Sequence, residues 1–405
     1  VPLRSFAVER YRGFRERTRI EVRPLTLIFG YNSAGKSALL RLLPLVRDTM
    51  REHREPIFMG SQVLRQASFT DLHCRLSPTP VIALEFASDT AEARYEIRYL
   101  PDQRRQVVER VTMLRDGVKE FLEWTSQGAM YDRWIDGESH TQFEVLFEGL
   151  TPQFKDDSNE LRSWRVPGSD DLSSVQWIDA VRTRVPRRMA YGARPHGALA
   201  SDGSDAPAAL AFASEDASPV YEAVRTFYRE HLGHVIEVAP MGDDFKVRVA
   251  PVKAPNVAID LTDTGEGLSQ VFPVIVALAR AAHREGPTLV ALEQPELHLH
   301  PAMHEELARW MCGLIKTDSR PRIIVETHSE NFLLAVLVAL LNQEITTDDL
   351  IVYWVFQLED GQSVVEPVTF DDLGRPQGAW PPGVFHEDAA LATKLNKLRM
   401  ERVKG

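Results

Sequence analysis

Cysteine is nearly missing from this sequence: Cys74 and Cys312 are the two in 405 residues, far apart and in no C-x-x-C pair. That excludes a disulfide framework and a cysteine zinc site, and both thiols read as reduced. An excess of positive charge is missing too. Lys and Arg number 47 against 58 Asp and Glu, a formal net charge of -11, which weighs against a protein that coats nucleic acid, because phosphate neutralisation needs clustered cations. The local exception is the segment 182–188, with Arg182, Arg184, Arg187 and Arg188; it reads as a solvated face or an intersubunit ion pair as readily as a DNA contact. No apolar run approaches the length of a bilayer span, and the opening Val1-Pro-Leu-Arg-Ser-Phe-Ala-Val8 lacks the succession of a signal peptide and reads as a first strand. A cytoplasmic protein without membrane partners is expected. There is no internal repeat and no heptad tract long enough for a coiled-coil rod.

What is present is the composition of a globular protein, 44% hydrophobic and 26% charged, long enough for two or three domains or for one large domain carrying an insertion. Within it, Gly30-Tyr31-Asn32-Ser33-Ala34-Gly35-Lys36-Ser37 fits G-x-x-x-x-G-K-[ST] at every fixed position. The run 25–29 before it is apolar and partly β-branched, a buried strand, and 38–50 after it reads as a helix. Gly30 and Gly35 allow the backbone to turn its N–H groups, with those of Asn32, Ser33 and Ala34, onto phosphates. Lys36 supplies charge near the β- and γ-phosphates, and the Ser37 hydroxyl suits Mg²⁺ at a helix N-terminus that already favours anions. A nucleotide site is predicted.

Strand-like runs at 3–8 and 18–22 suggest a hairpin feeding that strand, and runs at 81–87, 93–100, 106–114 and 143–147 fit an antiparallel sheet. Residues 198–218 are rich in small residues and read as a mobile loop. A helix at 221–232 and strands at 234–239, 245–250 and 257–261 precede a clear alternation: helix 269–285, strand 288–292, helix 302–315, strand 322–325, helix 331–341, strand 350–356. That spacing predicts parallel strands with helices on their faces. The expected organisation is therefore a split α/β nucleotide fold: 1–75 and 256–360 as its halves, 76–255 as an inserted β-rich and helical region, and 361–405 as a C-terminal docking segment.

The run 288–296, Thr-Leu-Val-Ala-Leu-Glu-Gln-Pro-Glu, is a buried strand ending in acids, the form of a Walker B motif. Relative to the usual Asp-Glu-Pro version, Glu293 takes the metal position and Gln294 the water-polarising one. An amide orients water but does not take its proton at neutral pH, so hydrolysis is expected to be slow or to borrow a group such as Glu296. Upstream, Gly265, Gly267 and Ser269 stand at a helix start, again an anion-binding arrangement. Ser269 lies 24 residues before Glu293, and Thr327-His328-Ser329 follows the next strand.

In that order these motifs resemble the ABC-type ATPases of the RecF, SMC and overcoming-lysogenisation-defect group, and among them the small standalone bacterial members with an uncharacterised C-terminal domain. The resemblance covers roughly 1–75 and 255–345. It implies an ABC-type head that binds ATP and Mg²⁺ and forms a homodimer around two nucleotides, with Ser33, Gly35, Lys36 and Ser37 on phosphates and metal. It further implies Gly265, Gly267 and Ser269 on the γ-phosphate held by the partner copy, and His328 as the switch histidine. A glutamine completes the metal shell in that group; Gln66 and Gln62 both qualify. An effector protein, in antiphage defence or DNA metabolism, is implied by analogy alone. The alternatives are an ATP-clamped scaffold that does not hydrolyse and a RecF-like protein that binds DNA directly.

Three other features have plainer readings. His298, His300 and His304 have spacings compatible with zinc, but the loop after Walker B with a Pro301 helix start explains them as well. Tyr11, Arg12 and Phe14 either cap a nucleotide base or form an exposed hairpin edge. The segment 371–386 is Pro-, Gly- and aromatic-rich and precedes a basic helix at 389–404; partner docking and packing on the ATPase lobe are both compatible with it.

Overall fold

The phosphate-loop strand forms at Leu25–Gly30 with every residue buried, in a seven-stranded sheet. The computed structural model describes residues 1–52, 55–139, 142–155, 160–371 and 373–377. The sheet order is Gln176–Ile178, Leu289–Glu293, Arg322–Thr327, Leu25–Gly30, Leu350–Gln357, Ser363–Phe370 and Pro376–Gln377. The first five strands are parallel to their neighbours and the last two antiparallel. Parallel strands covered on both faces are made of near-continuous apolar runs, and Leu-Val-Ala-Leu and Ile-Ile-Val before Glu293 and Glu326 are of that kind.

Alternation across the loop strand separates two cores. Leu25, Leu27 and Phe29 pack with the helices Glu266–Ala282, Pro301–Leu314 and Glu330–Leu341. Ile28 faces the other way, into a core that contains the helix Lys36–Glu52 and a second, eleven-stranded antiparallel sheet. That sheet includes the hairpin Ser5–Glu9 and Thr18–Glu21 and runs on through Val81–Ala87, Ala91–Leu100 and Arg105–Arg115 to Leu161–Ser163. The helix after the phosphate loop is thus enclosed between two sheets, which fixes the loop at its N-terminus. The α/β architecture, with mixed and parallel sheets and flanking helices, is the one expected.

The expected mobile loop at 198–218 is corrected: it contains the helix Ala206–Glu215, with Ala206, Ala209, Leu210, Ala211 and Ala213 buried. Alanine is the best helix former, and its small side chain permits the close approach to the helix Glu266–Ala282 that this core requires. The short parallel strand Gln176–Ile178 and the strand Ser363–Phe370 join the phosphate-loop sheet from outside the spans 1–75 and 256–360. The basic segment 389–404 and most of 371–386 lie outside the described residues. Among the described residues no helix is long and apolar enough to cross a membrane.

Candidate functional site

The loop at 30–37 takes backbone conformations that its glycines permit. Gly30 has φ 149° and pairs with Val355; a Cβ there would lie 2.0 Å from the Val355 carbonyl oxygen. Gly35 has φ 107°, and a Cβ on it would meet the Phe14 ring at 2.9 Å. The Lys36 ammonium, buried at the helix start, donates to the Gly30 and Tyr31 carbonyls at 3.0 and 2.6 Å. Burial pushes it down to about 8, against the pull of the Glu326 carboxylate. Lysine is therefore held over the concave side of the loop, where phosphate oxygens would replace carbonyls as its partners.

The facing wall is acidic. Glu293 and Glu326 end adjacent parallel strands in direct register and are 2% and 3% exposed. Arg41, one turn into the helix Lys36–Glu52, clamps Glu293 with Nε on Oε1 at 2.7 Å and Nη2 on Oε2 at 2.5 Å, and the Trp177 indole N–H reaches Oε1 at 3.0 Å. Glu326 accepts from the Ser37 hydroxyl at 2.8 Å through Oε1, while its Oε2 is buried without a partner. Burial, then the neighbouring Glu293 charge, push Glu326 up to about 7, and burial raises Glu293 above the ordinary carboxylate range. Neither Glu326 nor Arg41 was legible as a site residue. The one sequence signal for Glu326 is an acid closing a buried strand just before Thr327-His328-Ser329.

Gln294 has φ 42°, and its N–H donates to the Glu326 carbonyl at 2.8 Å. Glu296 is fixed by the Thr327 hydroxyl at 2.6 Å and the His328 N–H at 3.3 Å, leaving Oε2 buried without a partner. His328 sits beside the Gly30 backbone; burial and then the Lys36 charge push it down to about 4, so the imidazole is neutral at pH 7. Lys36, Ser37, Glu293, Glu326 and His328 thus converge on the C-terminal edge of one parallel sheet.

Gly265 caps the helix Glu266–Ala282, and a Cβ on Gly267 would lie 2.9 Å from the His298 carbonyl. Ser269 is buried with a hydroxyl that has no partner. Among the described residues no hydrogen bond joins 265–269 to the loop 30–37. What does join the serine-bearing helix to the acidic wall is Arg182. Its Nη2 donates to the Glu293 and Gln294 carbonyls at 2.7 and 2.9 Å, and its Nη1 to the Gln270 carbonyl at 3.3 Å. The arginine segment is thus not a free basic face: Arg182 is buried, Arg184 pairs with Glu266, Arg187 with Asp263 at 2.6 Å and Arg188 with Asp244.

Gln62 and Gln66 are exposed, and neither bonds Ser37, Glu293 or Glu326. They flank Arg65, which with Arg12, Ala38, Arg41 and Asp71 lines an open cavity of about 690 Å³ beside the helix start. Tyr11 and Phe14 are buried rather than an exposed edge. Among the described residues no three His, Cys, Asp or Glu side chains are grouped to hold a metal. His304 bonds Ser329 at 2.7 Å, and His300 accepts from the Ala302 N–H as a helix cap.

The phosphate-loop strand thus lies between parallel strands, acids stand at the C-terminal ends of two strands of that sheet, and a glycine-serine helix start packs against it. Residues 237–335 match the family described as "AAA domain, putative AbiEii toxin, Type IV TA system"; that span holds Gly265 to Ser269, Glu293, Glu326 and His328. No protein of curated function matches the chain. Among solved structures, the SMC head domain from Thermotoga maritima is similar, at 12% identity and TM-score 0.43, over 91% of this chain and 99% of that one. So is the Smc head domain with an extended coiled coil bound to the C-terminal domain of ScpA from Pyrococcus furiosus, at 10% identity and TM-score 0.46, over 91% and 96%.

Proposed function

We propose that this chain binds Mg-ATP in the loop at 30–37, pairs head to tail with a second copy around two nucleotides, and hydrolyses ATP slowly to gate an effector protein. The observation that carries the reading is the convergence of Lys36, Ser37, two buried carboxylates and His328 on one sheet edge. The donors fit the ion: the Ser37 hydroxyl and a buried carboxylate oxygen without a partner are hard oxygen ligands of the kind Mg²⁺ takes. Bound there, Mg²⁺ supplies charge neutralisation at the β- and γ-phosphates.

The chain's own groups then divide the work. Backbone N–H groups of Asn32, Ser33, Ala34 and Gly35 cradle the phosphates, and Lys36 exchanges loop carbonyls for phosphate oxygens. The neutral His328 donates its one ring N–H to a γ-phosphate oxygen without adding charge. Gln294 orients the attacking water but takes no proton from it, and one oxygen of Glu296 is engaged by the Thr327 hydroxyl and the His328 N–H. Gly265, Gly267 and Ser269 complete the pocket of the second copy, with Gln66 or Gln62 in the metal shell. The matched family's description names a toxin of a toxin–antitoxin system, which favours cytoplasmic defence over DNA repair; pairing within the arginine segment also disfavours direct DNA binding.

The amide at 294 favours a second reading, a nucleotide clamp that holds a complex together without turnover. Steady-state turnover of wild type and Gln294→Glu separates the two. A restored base is expected to raise kcat about a hundredfold, the usual worth of a positioned general base. No gain in a variant that still dimerises with ATP sinks the slow-hydrolase reading.

A further inference from the structure

We infer that Glu326, rather than Glu293 in the Walker B position, supplies the protein carboxylate for the divalent cation that accompanies the nucleotide. The inference rests on the Mg-ATP reading above. Glu293 is committed elsewhere: it is buried, and its two oxygens receive three N–H donors, two from the partly exposed Arg41 and one from the buried Trp177. Turning Glu293 to a cation would strip Arg41 of its bidentate partner, leaving it the longer ion pair with Asp179 at 3.6 Å, and would set a guanidinium beside a doubly charged ion. Giving up two charge-assisted hydrogen bonds at a carboxylate this buried is unfavourable.

Glu326 has the opposite balance. One oxygen meets a single hydroxyl, Ser37, and the other is buried with no partner. A buried carboxylate oxygen left without a donor is costly, and a hard cation is the ligand that satisfies it. Ser37 is the residue to which the phosphate-loop pattern assigns the metal. Its hydroxyl donates to Glu326 Oε1 at 2.8 Å, which holds the carboxylate that carries the unpartnered Oε2 beside that residue. Glu293, in register one strand away, then keeps Arg41 in place and shapes the wall without touching the ion.

The test is the affinity of the full chain for the non-hydrolysable analogue AMP-PNP, by calorimetry in EDTA and again in Mg²⁺. Wild type is expected to gain about tenfold or more with Mg²⁺, the size of effect a metal-shell group commands, and Glu326→Gln to lose that gain while keeping the EDTA affinity within about twofold. Glu293→Gln is expected to keep the gain; should Glu326→Gln not fold, Glu326→Asp, which keeps the charge but draws it back from Ser37, is expected to cut the gain, and an undiminished gain there overturns the inference. A gain that survives in Glu326→Gln, or vanishes in Glu293→Gln with its EDTA affinity intact, overturns the inference. So does a wild type that binds nucleotide with no Mg²⁺ gain. Failure of wild type to bind AMP-PNP under either condition instead removes the Mg-ATP reading, and this inference with it.

Discussion

The neutral state of His328 makes the protein's stability sensitive to acid. An unfolded chain takes up the imidazole proton near pH 6.5, whereas burial and Lys36 keep the folded one unprotonated until about 4. The unfolded state therefore binds more protons between those values; stability is full above pH 6.5 and falls as the pH drops toward 4. His328 is only partly buried, so the loss between pH 7 and pH 5 is discounted for solvent screening to about 1 kcal/mol. His328→Asn is expected to remove that part of the slope, read as unfolding midpoints in denaturant at the two pH values in EDTA. An unchanged slope shows that the depressed pKa belongs to other groups. At Gln294 an amide and a carboxylate of equal shape differ in whether they accept a proton, so Gln294→Glu changes the chemistry of the position without changing its form.

Between elements, Arg182 is the fastening. Three carbonyls, those of Glu293, Gln294 and Gln270, take their hydrogen bonds from one buried guanidinium, so the serine-bearing helix and the acidic strand end move together. Arg182→Ala removes a charged donor from all three, about 1.5–3 kcal/mol for such a bond where no water replaces it, and a melting temperature several degrees lower is expected, with Arg182→Lys partway between because one ammonium does not reach three carbonyls in a fork. Equal melting temperatures for wild type and Arg182→Ala refute the coupling. Arg182 also shows where sequence reading stops. The loop strand, the strand before Glu293 and the helices between them were legible because each is a long apolar run bounded by glycine, proline or acid. The helix Ala206–Glu215 was not, since alanine and serine give little hydrophobic contrast, and Gln176–Ile178 is too short for any period to register. The Arg41–Glu293 pair spans 252 residues and exists only because sheet order sets their two elements side by side; no local spacing encodes it. Glu326 fails differently, as a lone acid that acquires meaning from the Ser37 hydroxyl opposite.

At the scale of the whole molecule, the loop at 30–37 and the helix start at 265–269 share no hydrogen bond among the described residues, although both are anion-binding arrangements. On the proposed reading, these two half-sites, which do not meet within one chain, would be completed by a second copy turned to face the first, with ATP as the bond between them. Ser269 is a poor place to block that contact, because it is buried within its own chain. Gly265 is a good one: φ is −60°, within the range of any L-residue, and nothing lies within 4 Å of the position its Cβ would take. Gly265→Arg is thus accommodated by the monomer but fills the space proposed for the partner's γ-phosphate. Light scattering is expected to show wild type, 45.8 kDa as a chain, moving to twice that mass with ATP and Mg²⁺. Gly265→Arg should stay at the single mass with its nucleotide affinity intact, whereas Lys36→Ala should stay there because it loses the nucleotide. Mixing the two variants discriminates further, since one intact composite site remains possible only between a Lys36 donor and a Gly265 donor from opposite copies. A Gly265→Arg protein that dimerises with ATP as wild type does removes the head-to-tail arrangement and leaves a one-chain nucleotide switch in its place.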